Sequence, residues 1–575
     1  MSKHRQDALN YIDQNLNVSV LIIGAGINGI GTFRDLALQG VDVLMVDKGD
    51  FCSGTSAASS HMVHGGVRYL ENGEFRLVRE AVQERNRLIQ NAPHYVQPLA
   101  TTIPIFQWFS GFLNAPLKFL GLLDKPSERG GIIIKIGLML YDAYTRSQSD
   151  SLHTRVPNHR FSLRKTSLAQ YPQLNKDIVA TATYFDAAMH SPERIGMELV
   201  LDAEGASSQA HAINYMSAVA AGDNSVTLRD ELTGETYTIY PQLVINAAGP
   251  WIDLANQSLG QQTKFIGGTK GSHLVLDHPE LRQSIDENEF FFENEDGRIV
   301  LIYPLKDKVL VGTSDIRVDS PEDIRCTDEE IDYFLSMIDR VFPDIHVDRS
   351  HIVYQFSGVR PLPSSDANTA GQISRDHSIR VIEPDDTHSY PIFNLIGGKW
   401  TTFRAFSEQT ADKALEHLEQ PRLYITRNMP IGGGDRYPVS DGEKAQWIAN
   451  VAEDTELAPA MIEILFDRYG TRARAVAQYM ADSADENDLA SLQHQPDYFR
   501  GEIRFLAQHE KVTHLDDLIL RRTLLGMLGH ASAALSEEVG AIVGDTLKWS
   551  AETQAAEIER FRGLLAEKHG VTWVD

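Results

Sequence analysis

The sequence predicts an α/β domain built on a parallel sheet, followed by a separate helical domain. A β-α-β unit opens the chain: Val18–Ile23 has the pattern of a buried strand, a glycine-rich turn and a helix-like segment follow, and Val41–Val46 has the pattern of a second strand. Strand and helix patterns then alternate to about residue 420. From about residue 441 the chain has the periodicity of amphipathic helices.

Later stretches support the same division. Residues 243–249, 298–305 and 308–315 have the composition of strands. Pro430 and the cluster Gly432–Gly434 mark the change from alternating strands and helices to helices alone. The predicted domains are therefore 18–425 and 430–575.

The composition is that of an acidic, soluble, multidomain protein. Its 575 residues are 42% hydrophobic and 23% charged, with a formal net charge of −26, which disfavours nucleic acid as a partner. Cys52 and Cys326 form no C-x-x-C pair, so we expect no disulfide framework, zinc site or protein-ligated iron–sulfur cluster. We also expect no metal, no secretory signal and no membrane-spanning helix.

The turn after the first strand has the spacing of a dinucleotide-binding site. Gly24 permits a tight turn, Gly26 lets a pyrophosphate approach the backbone, and Gly29 allows close helix–strand packing. Asp47 closes the next strand eighteen residues after Gly29, where it can accept hydrogen bonds from a ribose. The alternative is a purely structural turn beside a surface acid. The pattern alone does not distinguish NAD from FAD.

Small residues from Thr55 to Ser60 follow, and they let the backbone lie against a flat ring system. The polar residues that come next indicate a substrate site at that ring: His61, His64, Arg68 and Tyr69. Two further glycine-bearing segments, residues 246–251 and 397–402, each follow a predicted strand. Three such contacts, far apart in the chain, fit one long cofactor.

These motifs resemble the FAD-dependent glycerol-3-phosphate dehydrogenase family over residues 18–425. The resemblance rests on GAGINGIG, SAASSHMVHGGVRYLENGEFRLVREA, NAAGPW, TKGSH, GTSD, SGVRPL, ISRDH and GGKWTTFR. It implies a glutathione-reductase-like FAD-binding Rossmann domain with an interleaved α+β substrate domain, and a helical C-terminal domain. The implied FAD-binding segments are about 18–75, 176–255 and 350–420.

The family oxidises sn-glycerol 3-phosphate to dihydroxyacetone phosphate by hydride transfer to FAD and passes the electrons to a membrane quinone. Related oxidases that use O2 typically carry an insertion before the GGK motif. Only 38 residues separate Arg360 from Lys399, which favours the dehydrogenase. The two cysteines argue against the anaerobic relatives, which carry an added iron–sulfur region.

Oxidation of a secondary alcohol requires a base that takes the hydroxyl proton, and a neutral histidine suits this at pH 7. We expect His64 to be that base. His61 is expected to be a spacer in the flavin loop, and His273 is the second candidate. The alternative for His64 is a packed histidine bonded to backbone.

The phosphate of the substrate needs cationic partners. We expect Arg68, Arg360 and Lys399 to bind it, with Arg375 as a weaker candidate. We also expect Arg360 and Lys399 to be catalytic, and Arg360 can stabilise the charge that develops on the reacting oxygen. Tyr69 either donates to the phosphate or packs. The alternative for each arginine is a surface ion pair in an acidic protein.

The predicted FAD contacts come from the dinucleotide turn, from the residues after it and from the two downstream glycine-bearing segments. They are Gly24, Ala25, Gly26, Ile27, Asn28, Gly29, Asp47, Lys48, Thr55, Ser56, Ser59, His61, Gly66, Ala248, Gly249, Trp251, Gly398, Lys399, Trp400 and Thr401.

Two segments are unusually hydrophobic: Thr102–Leu123, broken by Pro104 and Pro116, and residues 132–144. On a helix after Pro104, four aromatic residues would share one broad face: Phe106, Trp108, Phe109 and Phe112. Such a helix could lie in a membrane interface but could not cross the bilayer. The alternative is a lid over the protein's own core.

The combined prediction is a cytoplasmic FAD enzyme held peripherally on the inner face of the cell membrane, with glycerol 3-phosphate as substrate and quinone as acceptor. A homodimer is left open. An oxidase that reduces O2 to H2O2 is the second hypothesis, and a non-catalytic flavin-binding sensor is the third. A soluble NAD-linked dehydrogenase is disfavoured, because no second nucleotide motif is present.

Overall fold

A computed structural model describes residues 3–66, 75–108, 131–147, 156–294, 299–364 and 376–573. Within these ranges, eight strands form a first sheet with the order β17-β18-β10-β1-β2-β7, and β8 and β9 extend it from β10. Its strands are β1 (Asn17–Ile23), β2 (Val43–Val46), β7 (Ala210–Ile213), β8 (Met216–Ala221), β9 (Val226–Asp230), β10 (Thr236–Asn246), β17 (Ser378–Ile382) and β18 (Ile392–Ile396).

The centre of this sheet is parallel and buried on both faces, as the apolar run of the first strand predicts. Strand β1 pairs in parallel with β2 and β10, and β10 pairs in parallel with β18. Three helices cover one face: α2 (Ile27–Leu38), α6 (Pro192–Ala206) and α10 (Phe403–His417). On the other face, α1 (Lys3–Gln14) contacts β7 and β10, and its apolar side shares a core with residues of β1 and β2.

The second sheet is largely antiparallel, and ten strands belong to it among the described residues. They are β3 (Met62–Val63), β4 (Val96–Ile105), β5 (Arg160–Leu163), β6 (Ala180–Met189), β11 (Thr269–Leu276), β12 (Asn288–Glu293), β13 (Ile299–Leu305), β14 (Lys308–Gly312), β15 (Ile316–Arg317) and β16 (Ile352–Arg360). Strands β6 and β16 fall inside segments predicted to bind FAD, and the structure places both in this second sheet.

The helices beside the second sheet are α3 (Phe75–Asn91), α4 (Gly131–Ser147), α5 (Arg164–Gln170), α8 (Pro279–Ile285) and α9 (Asp328–Val341). Helix α7 (Ile252–Ser258) packs instead on β8 and β10 of the first sheet. Helix α9 begins with a capping box, in which Thr327 and Glu330 satisfy each other's backbone amides. Apolar residues of α8 and α9 pack on β11–β14 and form the core beneath this sheet.

The C-terminal part is helical, as its periodicity predicts. It contains α11 (Asp441–Thr455), α12 (Pro459–Tyr469), α13 (Ala473–Ala481), α14 (Arg500–His509), α15 (Ala533–Leu547) and α16 (Ala551–His569). The apolar sides of these helices share one core, which continues onto Tyr303 and Tyr354 of the second sheet. The helical part therefore packs directly on the second sheet.

The structure corrects the start of the predicted interfacial helix. Residues up to Ile105 belong to strand β4, because the ladder with β6 continues to Ile105 opposite Ala180. Phe106 lies under the guanidinium of Arg340, 5.5 Å from the ring centroid to Cζ, and packs against the core below the sheet. Trp108 lies 6.0 Å from Phe161 between ring centroids. These two aromatic residues pack inward, whereas Phe109 and Phe112 lie outside the described residues.

Candidate functional site

The glycine turn between β1 and α2 has the geometry that a pyrophosphate requires. Gly24 has φ +105°, and a Cβ there would lie 2.7 Å from the backbone of Ala247 and Ala248. A Cβ on Gly29 would lie 2.0 Å from Gly24 O, so this glycine allows the helix to approach the turn. A Cβ on Gly26 would instead meet only Ser56 Oγ, at 3.3 Å. The Gly26 side of the turn is thus a cradle that a larger residue would fill.

The first turn of α2 lies beside this cradle and presents backbone amides to it. Gly26 occupies the N-cap position and, having no side chain, supplies no cap. Ile27 N donates to Ser56 Oγ at 3.0 Å, which ties the helix start to the small-residue loop. A helix N-terminus of this kind suits an anion, so the residues present fit the phosphates of FAD.

Asp47, the predicted ribose ligand, directly follows strand β2. Its carboxylate accepts from Ala25 N at 2.6 Å and from Gly49 N at 2.9 Å. Burial raises the pKa of the Asp47 carboxyl to about 6, although these two amides favour its charged form. The ammonium of Lys48 lies 5.1 Å from the ring centroid of Trp251.

The two downstream glycine segments meet the turn in space. Asn28 Nδ2 donates to Gly397 O at 3.2 Å, and Gly398, at φ +95°, leaves the space that this amide occupies. Trp400 Nε1 donates to Ser56 O at 3.0 Å. A Cβ on Gly54 would lie 3.1 Å from the Trp251 ring. Segments more than 300 residues apart therefore share one site, as the motif pattern predicts.

Other predicted FAD contacts lie on the same segments. Ala248 N donates to Asn246 Oδ1 at 3.2 Å, and Gly249 has φ +57°. Lys399 is half-buried and precedes a short 3-10 turn, Trp400–Thr402, in which Thr401 is buried.

The small-residue loop is joined to the second sheet by two hydrogen bonds. Thr55 Oγ1 donates to Val359 O at 2.7 Å, and Ser60 Oγ lies 2.8 Å from His273 Nε2. Ser59 Oγ accepts from His61 N at 3.3 Å. The loop that carries the predicted flavin contacts therefore lies against strands β11 and β16.

Arg360 ends strand β16 and is anchored by its neighbours. Its Nη2 donates to Thr313 Oγ1 at 2.8 Å, and its Nη1 lies 3.3 Å from Asp315 Oδ1. A Cβ on Gly271 would lie 2.3 Å from Nη2, so a side chain at this position would displace the guanidinium from where it lies. Thr313 and Asp315 belong to the GTSD motif, which begins at the last residue of β14, and their contact with Arg360 is not predicted by the sequence.

Two of the predicted site histidines, His61 and His273, are buried. His273 is buried and stacks on Phe356, with ring centroids 4.8 Å apart. Burial, then the charge of Arg360, lowers its pKa well below the ordinary value. Burial likewise lowers the pKa of His61 to about 4, helped by His190. Both rings are therefore neutral at pH 7.

His64 follows strand β3 and is half-buried. Gly66, two residues later, has φ +76°. Three other predicted substrate ligands lie outside the residues that the structure describes: Arg68, Tyr69 and Arg375. Their roles stay predictions.

Two sequence families match this chain. The FAD dependent oxidoreductase family matches residues 19–384, and the C-terminal domain of alpha-glycerophosphate oxidase matches residues 424–554. The glycerol-3-phosphate dehydrogenase of Synechocystis sp. is 34% identical over 96% of this chain and 97% of its own length. The chain belongs to the FAD-dependent glycerol-3-phosphate dehydrogenase family.

The relatives of this FAD-dependent dehydrogenase include an enzyme named for a different polyol phosphate. The D-erythritol 1-phosphate dehydrogenase of Brucella abortus is 29% identical over 88% of this chain and 93% of its own length. The structure of the glycerol-3-phosphate dehydrogenase from Bacillus halodurans, complexed with FAD, superposes with a TM-score of 0.74 at 22% identity, over 99% of this chain and 98% of that one. This likeness confirms the predicted fold class.

Proposed function

We propose that the protein oxidises sn-glycerol 3-phosphate to dihydroxyacetone phosphate with FAD and passes the electrons to a membrane quinone. The observation that carries this proposal is the position of the small-residue loop after the dinucleotide turn: Thr55 bonds it to Val359, the neighbour of Arg360, and the loop leads into the segment that carries His64. An alcohol-oxidising flavoenzyme for a phosphorylated substrate needs a cation and a base at that position.

Arg360 is suited to the anionic end of the substrate. Thr313 and Asp315 hold the guanidinium in place, so little freedom is lost when it binds a phosphate. The half-buried Lys399 lies on the third cofactor segment and supplies a second cation. We propose that both bind the phosphate, together with Arg68, Tyr69 and Arg375.

The proton of the carbon 2 hydroxyl requires an acceptor, and His64 is our assignment. The chemistry that bound FAD would supply is acceptance of the carbon 2 hydrogen together with its electron pair. His64 takes the hydroxyl proton, so that the carbon–oxygen bond becomes a carbonyl. His273 and His61 are neutral and packed inside the protein, which suits a supporting role better than proton exchange with solvent.

The proposal of a membrane quinone is supported by an exposed apolar face on α4. Ile136, Met139 and Leu140 are 54%, 58% and 48% exposed, at the helical spacing of one face. Within the described residues, no helix combines the length and apolar character needed to cross a bilayer. We therefore propose peripheral attachment through this face, at the cytoplasmic side of the membrane. Homodimerisation stays a prediction.

The second candidate acceptor is O2. It is favoured by the match of residues 424–554 to the C-terminal domain of alpha-glycerophosphate oxidase. An oxygen electrode distinguishes the two: stoichiometric H2O2 without added quinone supports the oxidase, whereas turnover that requires a quinone supports the dehydrogenase.

The substrate assignment is tested by anaerobic bleaching of the flavin band at saturating substrate. We expect glycerol 3-phosphate to bleach it rapidly and glycerol to bleach it very slowly. Faster bleaching by erythritol 1-phosphate would move the assignment to the longer polyol phosphate. A flavin that no polyol phosphate bleaches would support the non-catalytic sensor.

A further inference from the structure

The backbone just after the proposed base is held by a side chain from another strand. Strand β3 pairs with β6 through Met62 opposite Ala188 and Val63 opposite Ala187. The ladder ends there, and Gly65 N donates instead to Asp186 Oδ1, at 2.9 Å. The side chain of Asp186 thus accepts a backbone hydrogen bond just past the end of the β3–β6 pairing, at the residue after His64.

The accepting oxygen is itself fixed by two further donors. Arg85 Nη1 donates to Asp186 Oδ1 at 2.9 Å, and the Tyr141 hydroxyl donates to the same oxygen at 2.5 Å. All three side chains are buried, with exposures of 0% for Arg85 and 1% for Asp186 and Tyr141. Burial raises the pKa of Tyr141 well above its ordinary value, so its hydroxyl remains a donor.

The donors come from elements that are otherwise unrelated. Arg85 belongs to α3, Tyr141 to α4 and Asp186 to β6. Arg85 is further fixed by its hydrogen bonds to Phe185 O, at 3.1 Å, and to Asn86 Oδ1. A carboxylate with this many charged and neutral donors has little freedom to rotate.

Gly65 approaches this cluster more closely than any other residue type could. A Cβ at this position would lie 2.0 Å from the Tyr141 hydroxyl oxygen and 2.8 Å from Val82 Cγ2. The backbone at Gly65 is therefore held by a hydrogen bond on one side and by direct packing on the other.

We propose that Asp186 is a positioning residue that sets the location of the His64 side chain by holding the Gly65 amide. The proposal rests on the function proposed above, in which His64 is the base. Asp186 acts through the backbone and touches neither substrate nor cofactor. The substrate hydroxyl must lie within about 2.6–3.2 Å of the base. A displacement of about 1 Å can lower a rate by about 10²-fold.

The test compares Asp186→Ala, which removes the acceptor oxygen, with Asp186→Asn, which keeps it and removes the charge. Both variants leave Arg85 without its counter-charge, so both should lower the melting temperature. The limiting rate of anaerobic flavin reduction by glycerol 3-phosphate should fall about 10- to 100-fold in Asp186→Ala. It should stay within about threefold of the wild type in Asp186→Asn, because the amide oxygen still accepts from Gly65.

The matched control is Asp230→Ala. Asp230 is buried and paired with Arg5 at 2.8 Å, so its loss also breaks a buried ion pair, far along the chain from Gly65. This control should lower stability and leave the limiting rate of flavin reduction unchanged. Three results would overturn the proposal: a normal rate in Asp186→Ala, equal slowing in both Asp186 variants, or equal slowing in the control.

A second variant keeps the test decisive if the Asp186 variants do not fold. Tyr141→Phe retains the charge pair and removes one of the donors to Asp186, and we expect flavin reduction to slow about 3- to 10-fold. An unchanged rate would overturn the proposal.

A His64→Asn background separates this proposal from the proposed function. There, Asp186→Ala should slow flavin reduction by less than about threefold, since the group that it positions is gone. A further tenfold loss would show that Asp186 acts elsewhere. A normal rate in His64→Asn alone would instead refute the base assignment itself.

Discussion

Replacing Arg522 with methionine should weaken the attachment of the helical part to the cofactor site. Arg522 lies in a π-helical turn, Asp517–Arg522, and donates from its two Nη atoms to Asp50, at 2.6 and 2.9 Å. Asp50 also accepts from Arg521 Nε at 2.6 Å and from Asn214 Nδ2 at 3.0 Å. Asp50 follows the predicted ribose ligand by three residues, so the pair connects the helical part to the cofactor loop.

The magnitude follows from the charge balance at Asp50. Burial opposes its ionisation, but Arg522 and Arg521 outweigh burial, and the pKa falls from 3.8 to about 2. The lowered pKa corresponds to roughly 2–3 kcal/mol of stability from the charged form of Asp50. Because the pKa is lowered on folding, this stability is present above about pH 4 and is lost as the pH falls through about 2. Breaking a buried pair typically costs about 3–5 kcal/mol, and we expect about 3 because Arg521 remains.

The assay is urea denaturation of the holoenzyme at pH 7, followed by circular dichroism and by the fluorescence of released FAD. The midpoint should fall, with FAD released at lower urea than in the wild type. Without Arg522 the pKa of Asp50 rises, so the deficit should be no larger at pH 5 than at pH 7. Arg474→Met is the matched control, because Arg474 is 49% exposed and pairs with Asp454 at the surface. Equal midpoints in Arg522→Met and Arg474→Met would refute the reasoning.

Three further predictions concern binding. Gly26→Val should abolish FAD binding, because its side chain would fill the cradle; a yellow purified variant with full flavin absorbance would contradict this. Arg360→Ala should raise the half-saturating concentration of glycerol 3-phosphate in flavin reduction by about 10- to 100-fold, through loss of a charged hydrogen bond; equal turnover of glycerol by the wild type would contradict a phosphate site. Met139→Ser with Leu140→Ser should shift the protein from sedimenting vesicles to the supernatant, whereas Leu423→Ser, at another exposed apolar position, should not. Continued sedimentation of the double variant would exclude α4 as the attachment.

The sequence predicted the dinucleotide turn, because its geometry is local. The positive φ at Gly24, the close approach at Gly29, the apolar strand before them and the acid after the next strand all lie within one short segment of the chain. The change to helices near residue 441 could also be predicted from the sequence, because apolar residues recur there with a period of about 3.6. The aromatic pattern after Pro104 was misleading at Phe106 and Trp108, because periodicity does not tell a core contact from a lipid contact.

Only the tertiary structure decided which distant residues meet. Asp186 lies 121 residues from Gly65, and Arg522 lies 472 residues from Asp50. The anchors of Arg360 depend on how β11 and β14 pair, and the sequence shows neither the register nor the room left by Gly271. A buried polar side chain needs a partner, and many polar residues of the chain could supply one. Chain topology selects among them, so the supports of the proposed base could be read only from the folded protein.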